Sequence, residues 1–327
     1  MSDVDYHKLE AIFFPFCTEE EERIKSQGLD LAYYCSLDTL FNILNNKELW
    51  LRNIRCMSDI KELFFGYNTL RAALYNDKER LNRLIRALGE IDKSRSKYWI
   101  KLFDSAFSGI KENNLLFILC KYANIICFTE HNTAIDENGR LDMFNSYGRG
   151  NGGCIVFDGK NALDSEYCLS KVIYVKDAKD PVLLSILDQL ISSIEDNREY
   201  LSEVGFAVAK RCMTNAIVYA MASIKHYGFS YEKEWRMISN SRAKTGKKNS
   251  SDYVSNCVPV CLNGVPQMVL KESLVGKENL LKRIIIERKF EQMEEKFCLA
   301  HLLFEKWNVK KEESFKYIKI SDIPIKR

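Results

Sequence analysis

Tyr231-Glu232-Lys233-Glu234-Trp235-Arg236-Met237-Ile238 reads as a β-strand, with aromatic and β-branched residues beside charges and neither Gly nor Pro to interrupt it. Side chains alternate along a strand, so Glu232, Glu234 and Arg236 share one face while Tyr231, Lys233, Trp235 and Met237 share the other. Two carboxylates and a guanidinium in one row are costly to bury without partners. Two readings fit such a row. In one, Arg236 neutralises Glu234 and Trp235 packs into the core of an ion-paired strand. In the other, a carboxylate holds a sugar hydroxyl and faces a developing positive charge.

Downstream of this strand, Ser239 to Asp252 is a basic, Ser-rich loop with Arg242, Lys244, Lys247 and Lys248. It is either a solvated loop or a contact for an acidic partner or a nucleic-acid phosphate. Strands follow at Tyr253–Leu262 and Ile284–Glu287, then a helix at Phe290–Phe304 and a last strand at Phe315–Ile320. Upstream, periodicity predicts helices at Pro181–Ile194 and Tyr200–Ile224 and a strand at Tyr167–Val175. Gly148, Gly150, Gly152 and Gly153, with Arg149 and Asn151 between them, lead into a strand at Cys154–Phe157. Such glycines let backbone approach a ligand or simply make turns, and their spacing matches neither a Walker nor a Rossmann loop. Leu141–Tyr147 reads as one or two helical turns after a polar loop, Glu130–Arg140, and Ala123–Thr129 as a buried strand.

Nearer the N-terminus, Thr18 caps a helix that Gly28 ends, and Leu29–Cys35 is a strand closing on Tyr33-Tyr34. Ser36 caps the next helix, and Glu48–Asn53 alternates Leu49 and Leu51 against Trp50. Ser58 and Asp59 open a helix that contains Glu62, and residues 63–122 read as a helical insertion or subdomain. The expectation is a single α+β domain over residues 1–327, with about seven or eight short strands in mixed or antiparallel sheets.

The totals bound the function class. The 327 residues are 46% hydrophobic and 28% charged, ordinary for a globular chain, and the net charge of +3 gives no global footprint for nucleic acid. The 11 cysteines are odd in number and contain no C-x-x-C pair, so we expect reduced thiols rather than disulfides or zinc. The 4 histidines are far apart, and no metal is expected. The start is polar and acidic, and the most apolar stretch, Leu115–Phe128, is short and broken by Lys121. No membrane partner and a cytoplasmic location are therefore expected.

Four stretches together resemble the bacterial domain-of-unknown-function family 2971. They are Leu31-Ala32-Tyr33-Tyr34-Cys35-Ser36 with Leu49-Trp50; Ser58-Asp59-Ile60-Lys61-Glu62; Met143-Phe144-Asn145-Ser146-Tyr147 through Gly153 to Asp158; and Tyr231 to Arg236. The chain departs from the family pattern at Tyr33, where His is common, at Ser58, where Asn is common, at Phe144, where Trp is common, and in lacking the Pro of the second stretch. That family is in turn distantly similar to ADP-ribosyltransferases. The resemblance implies an ADP-ribosyltransferase-like core and an NAD-cleaving effector of bacterial conflict or phage defence, with NAD as substrate.

It further implies Glu234 as the carboxylate facing an oxocarbenium-like ribose and Glu232 as the group orienting or deprotonating an acceptor, whether protein or nucleic acid. Tyr33 or Tyr34 would take the adenosine side, and Ser146 or Tyr147 the second strand position. Tyr34 or Tyr147 would stack on nicotinamide. Arg149 would pair with a phosphate, Gly150–Gly153 would approach the pyrophosphate, and Arg236 would complete the nucleotide site. A non-catalytic nucleotide- or protein-binding module and an RNA-directed effector are the alternatives.

Overall fold

The computed structural model describes residues 4–56, 60–107, 123–162, 168–240, 257–262, 264–288 and 293–323. The chain begins with helices α1 (Tyr6–Phe13) and α2 (Pro15–Gln27). Pro15 supplies the preset φ of a first helical turn, and Gly28, at φ 61°, closes α2 in the left-handed conformation. Strand β1 (Asp30–Ser36) runs directly into α3 (Leu37–Asn46), because the Ser36 hydroxyl accepts from the Thr39 amide at 3.3 Å. Then come β2 (Glu48–Asn53), the helices α4 (Ile60–Tyr75), α5 (Lys78–Gly89) and α6 (Ser96–Phe107), and β3 (Ala123–His131).

The middle of the chain holds α7 (Leu141–Tyr147), β4 (Gly152–Phe157), α8 (Gly159–Ala162), β5 (Cys168–Lys171), β6 (Ile173–Val175), α9 (Pro181–Asp196), α10 (Arg198–Val204) and α11 (Phe206–Ser223). After β7 (Ile224–His226) a 3₁₀ turn, Tyr227–Glu232, leads into β8 (Glu234–Asn240). The chain ends with β9 (Cys257–Leu262), β10 (Val265–Ser273), β11 (Leu281–Ile286), α12 (Met293–Lys306), α13 (Lys311–Ser314) and β12 (Ile318–Ile320).

Ten of these strands form one mixed sheet in the order β12-β11-β4-β1-β3-β2-β10-β9, with β8 on β3 and β5 on β8; β6 and β7 pair separately. The fold is α+β, as the sequence predicts. All pairs in the large sheet are antiparallel except β11–β12.

The sheet divides at β3. One edge of this strand pairs along its length with β8. The other edge is shared by two strands: its C-terminal end pairs with β1 (Ala32↔Thr129), and its N-terminal end pairs with β2 (Arg52↔Ile125). Between these two ladders, Ile126-Cys127-Phe128 has no strand partner on that edge among the described residues, and β1 and β2 diverge from it.

Alternation sets what covers each side. Ile126, Phe128, Trp235 and Met237 join Leu31, Ile155 and Ile284 in one apolar core beneath α2, α3 and α12. On the opposite side, Ile125 and Ile238 pack under the helical layer of α1, α4–α6 and α9–α11. Ala32, Tyr34, Cys154 and Val156 pack under α7 through Met143 and Phe144. Among the described residues, no helix is long and apolar enough to cross a membrane.

Several expected elements are redrawn. The opening stretch is not one strand: Tyr231 and Glu232 end a 3₁₀ turn, and Lys233, at φ 47°, breaks the extended backbone before Glu234. Tyr231 is accordingly exposed rather than paired with Trp235 in the core. The Tyr167–Val175 run divides into β5 and β6, which belong to different sheets; the β5–β8 pairing ends at Val172, whose amide donates to the Glu234 carbonyl at 2.9 Å, and Ile173 starts the pairing with β7. The Tyr200–Ile224 helix breaks at Gly205, at φ 85°. Thr18 lies inside α2 rather than capping it, with its hydroxyl donating back to the Phe14 carbonyl. Phe315–Tyr317 is a 3₁₀ turn before β12, and Val265–Ser273 is a strand the sequence reading lacked. Ser58, Asp59, residues 108–122 and most of the basic 239–252 loop, including Arg242, Lys244, Lys247 and Lys248, lie outside the described residues.

Candidate functional site

Glu234 and Arg236 stand on β8 facing away from the Trp235–Met237 core, opposite Thr129 and Cys127 of β3. They fall where the helical layer and α7 leave part of the sheet uncovered. Each neighbour contributes from its own element. Arg236 clasps Glu234 from two sides, Nε to Oε1 at 2.8 Å and Nη2 to Oε2 at 3.0 Å. Its Nη2 also donates to Oε2 of Glu62 on α4 at 2.8 Å, and its Nη1 donates to the Ala222 carbonyl at the end of α11. A cation on the last carbonyls of a helix meets the negative end of its dipole.

Lys225 of β7 is the second cation. Its Nζ lies 2.7 Å from Glu232 Oε2, 2.9 Å from Glu62 Oε1 and 3.1 Å from Glu234 Oε2. Glu232 reaches this cluster from the 3₁₀ turn rather than from a strand. The turn is anchored by the Thr129 hydroxyl, which donates to the Glu232 carbonyl, and by Arg140, which donates to the Tyr231 carbonyl. The Glu234 amide donates to the Tyr174 hydroxyl at 2.8 Å.

The two carboxyls titrate in opposite directions. Burial alone would raise Glu234, but the Arg236 and Lys225 charges, with a hydrogen bond from the Cys127 thiol, outweigh it and bring the group down to about 2. For Glu232 burial wins: even with Lys225 opposing it, and with Glu234 and Glu62 adding repulsion, its pKa is raised. Burial and the surrounding carboxylates likewise push the Cys127 thiol and the Tyr147 hydroxyl up. Three carboxylates, Glu62, Glu232 and Glu234, face two cations, so the fully ionised cluster is one charge negative.

The cluster forms one wall of a cavity of about 740 Å³ that runs through the gap between β1 and β2. Gly150, Gly152 and Gly153 do not line it, whereas all eight side chains expected at the site do: Glu232, Glu234, Arg236, Tyr33, Tyr34, Ser146, Tyr147 and Arg149. Their freedom differs. Tyr34 is buried, stacked edge-on against Phe144 at 5.1 Å, and its hydroxyl accepts from the Arg140 amide at 2.9 Å. Tyr33 is half-buried on the other sheet face, edge-on to Phe128 at 5.9 Å. Ser146 donates to the Asp142 carbonyl within α7 at 2.8 Å. Tyr147 and Arg149 are exposed at the rim, with Arg149 left-handed at φ 53°.

Two of the glycines have structural roles of their own. The Gly152 amide already donates to Glu287 Oε2 at 2.6 Å, so it is not offered to a pyrophosphate. A Cβ at Gly153 would come within 2.5 Å of Leu40, so close packing of α3 explains that glycine.

Sequence reasoning missed Lys225, Cys127, Trp50 and Arg52 as wall residues, and it gave Glu62 a place in a helix start and in a family-like stretch but no role at the site. Trp50 and Arg52 were discernible, since they alternate with the buried Leu49 and Leu51 and so must face away from that core. Lys225 left no signal, because β7 spans three residues and its lysine is paired only by tertiary structure. Among the described residues no group of three or more His, Cys, Asp or Glu is placed to hold a metal. No curated protein and no solved structure matches the chain. The model of the family described as "Protein of unknown function (DUF2971)" matches residues 143–237, and the chain is therefore similar to that family from α7 to β8, the stretch that carries Tyr147, Lys225, Glu232, Glu234 and Arg236.

Proposed function

We propose that the cavity takes an NAD-type dinucleotide and that the protein cleaves its nicotinamide–ribose bond. One observation carries this reading: two buried carboxyls with opposed pKa shifts, in a cluster one charge negative when fully ionised, line a cavity of about 740 Å³. Environments that push paired carboxyls apart divide them into a fixed anion and a proton carrier. Loss of a ring nitrogen from ribose builds oxocarbenium character on C1′, which a negative wall stabilises. The C1′–N bond breaks with its electron pair passing to nicotinamide and quenching the pyridinium charge. An oxygen of water, or of an acceptor hydroxyl, bonds C1′, and its proton leaves through a carboxylate to solvent.

Recognition groups are present around the same cavity. Tyr147 brings an aromatic face to the rim, Trp50 a second one on β2, and Arg149 and Arg52 place guanidinium groups in the wall, Arg52 with its Nε on Gln267 and its Nη2 on the Cys56 carbonyl. The volume falls within the roughly 300–1,000 Å³ usual for small-molecule sites. Incubation with NAD and quantification of free nicotinamide tests the proposal: release that depends on intact protein supports it, and its absence at high protein concentration sinks it. One observation favours a binding module without turnover: both oxygens of Glu234 are already held by Arg236 and Lys225. NAD binding by calorimetry without nicotinamide release would decide for that second reading.

A further inference from the structure

The two carboxylates at the centre of the site are not equivalent in their attachments. Glu234 is held at Oε1 by Arg236 and at Oε2 by both Arg236 and Lys225, which leaves it little capacity to accept from a ligand hydroxyl. Among the described residues, Glu232 pairs with Lys225 alone, and through Oε2 alone. It also sits on a 3₁₀ turn after β7 and before the left-handed Lys233, so its backbone is set apart from the ladder that fixes Glu234.

We propose that Glu232, not Glu234, is the carboxylate that meets the substrate, and that Glu234 is a positioning residue that fixes Arg236 and Lys225 around it. This rests on the NAD-cleavage reading above; it keeps the acceptor-deprotonating role that the sequence resemblance implies for Glu232 and withdraws the ribose-facing role it implies for Glu234. Glu232 takes the proton of the water or acceptor hydroxyl as its oxygen bonds C1′, and passes that proton to solvent after nicotinamide departs.

The charged and titratable groups facing Glu232 come from five elements: Lys225 of β7, Glu62 of α4, Glu234 and Arg236 of β8, Tyr147 of α7 and Tyr174 of β6. When Glu232 takes up a proton, Lys225 keeps Glu62 and Glu234 as partners, so the cluster passes from one net negative charge to none without stranding a cation. Protonating Glu234 costs more, because it breaks the two-point clasp on the buried Arg236 and leaves Arg236 and Lys225 to share Glu62.

The test measures nicotinamide release from NAD by the full chain and by Glu232→Gln, Glu232→Asp and Glu234→Gln, across pH, with the melting temperature of each. We expect Glu232→Gln to lower kcat about 100-fold or more with little change in KM and in melting temperature, and Glu232→Asp to restore part of it. The wild-type rate should rise with pH along an acid limb set higher than an ordinary glutamate's. Glu234→Gln should melt earlier and lose activity while keeping that limb. Retention of wild-type kcat by Glu232→Gln, or abolition of release by Glu234→Gln at an unchanged melting temperature, would overturn the assignment and leave NAD cleavage standing. A wild-type protein that releases no nicotinamide would remove both readings together.

Discussion

Strand β8 is buried to the same degree on both of its faces, yet the two faces are chemically opposite. Trp235 and Met237 are 0% and 6% exposed in an apolar core, while Glu234 and Arg236 are 5% and 6% exposed in a cluster of five charged side chains. Equal burial therefore carries unequal consequences. The apolar face gains from every area it hides, in proportion and with tolerance. The charged face depends on its cations, because losing Arg236 or Lys225 leaves buried carboxylates short of counter-charge. The lesson is that the first face holds the strand still so that the second can keep an arrangement that would not support itself.

The sharpest way to break this contrast is Arg236→Ala, which takes one of two cations from both Glu234 and Glu62 and leaves three carboxylates to Lys225 alone. It should cost about 3–5 kcal/mol of stability, read from the shift in a denaturant midpoint. A loss near zero would mean that the row is solvated rather than built.

Acid should act next. The folded pKa of Glu234 is depressed from 4.5 to about 2, so its contribution, on the order of 3 kcal/mol, is present above the unfolded value and lost as pH falls from 4.5 toward 2. Glu232 is raised, so its contribution has the opposite sign: present below 4.5 and lost as pH rises through its folded pKa. Stability of the wild type should therefore climb from about pH 2 to about pH 4.5 and then decline as Glu232 ionises, and Glu232→Gln should remove that decline but not the climb. Urea midpoints at several pH values check both signs.

A pair of conservative exchanges sharpens the comparison further. Arg236→Lys should cost about 1.5–3 kcal/mol, because an ammonium cannot reproduce the two-point clasp on Glu234. Met237→Leu, one residue along and facing the apolar core, should cost less than about 1.5 kcal/mol. Near-equal costs would undo the argument that the faces obey different rules. Smallest is Tyr34→Phe, which leaves the Arg140 amide without its acceptor: about 1 kcal/mol, visible as a drop of about one to two degrees in melting temperature.

What could be read in advance follows the same division. The apolar run Ala123–Thr129, the strand after the glycine segment and the shared face of Glu234 and Arg236 all follow from period-two alternation, a local property. The break at Lys233 did not show, because nothing in Glu-Lys-Glu demands a positive φ; the anchoring of the turn by Thr129 and Arg140 imposes it. The separation of β5 from β6 was hidden for a like reason, since a run of strand-forming residues conceals which sheet each half joins. Strand β10 was missed because Pro266, Gln267, Lys271 and Glu272 blur its alternation in a largely exposed hairpin with β9. Lys225, which ties three carboxylates together, owes its place wholly to distant segments. For the candidate site, the acidic row was legible in the chain and its counter-charges were not.

The divergence of β1 and β2 from a common edge has a consequence for selectivity. Both strands are stitched to the same nine-residue strand, one at each end, so the width between them is a fixed span of backbone, like the jaws of a locked calliper. Trimming the side chains around the opening changes what a guest touches but leaves the jaws where they are. Guests of too great a girth should therefore be refused by every such variant, while narrower ones are sorted by the residues that changed.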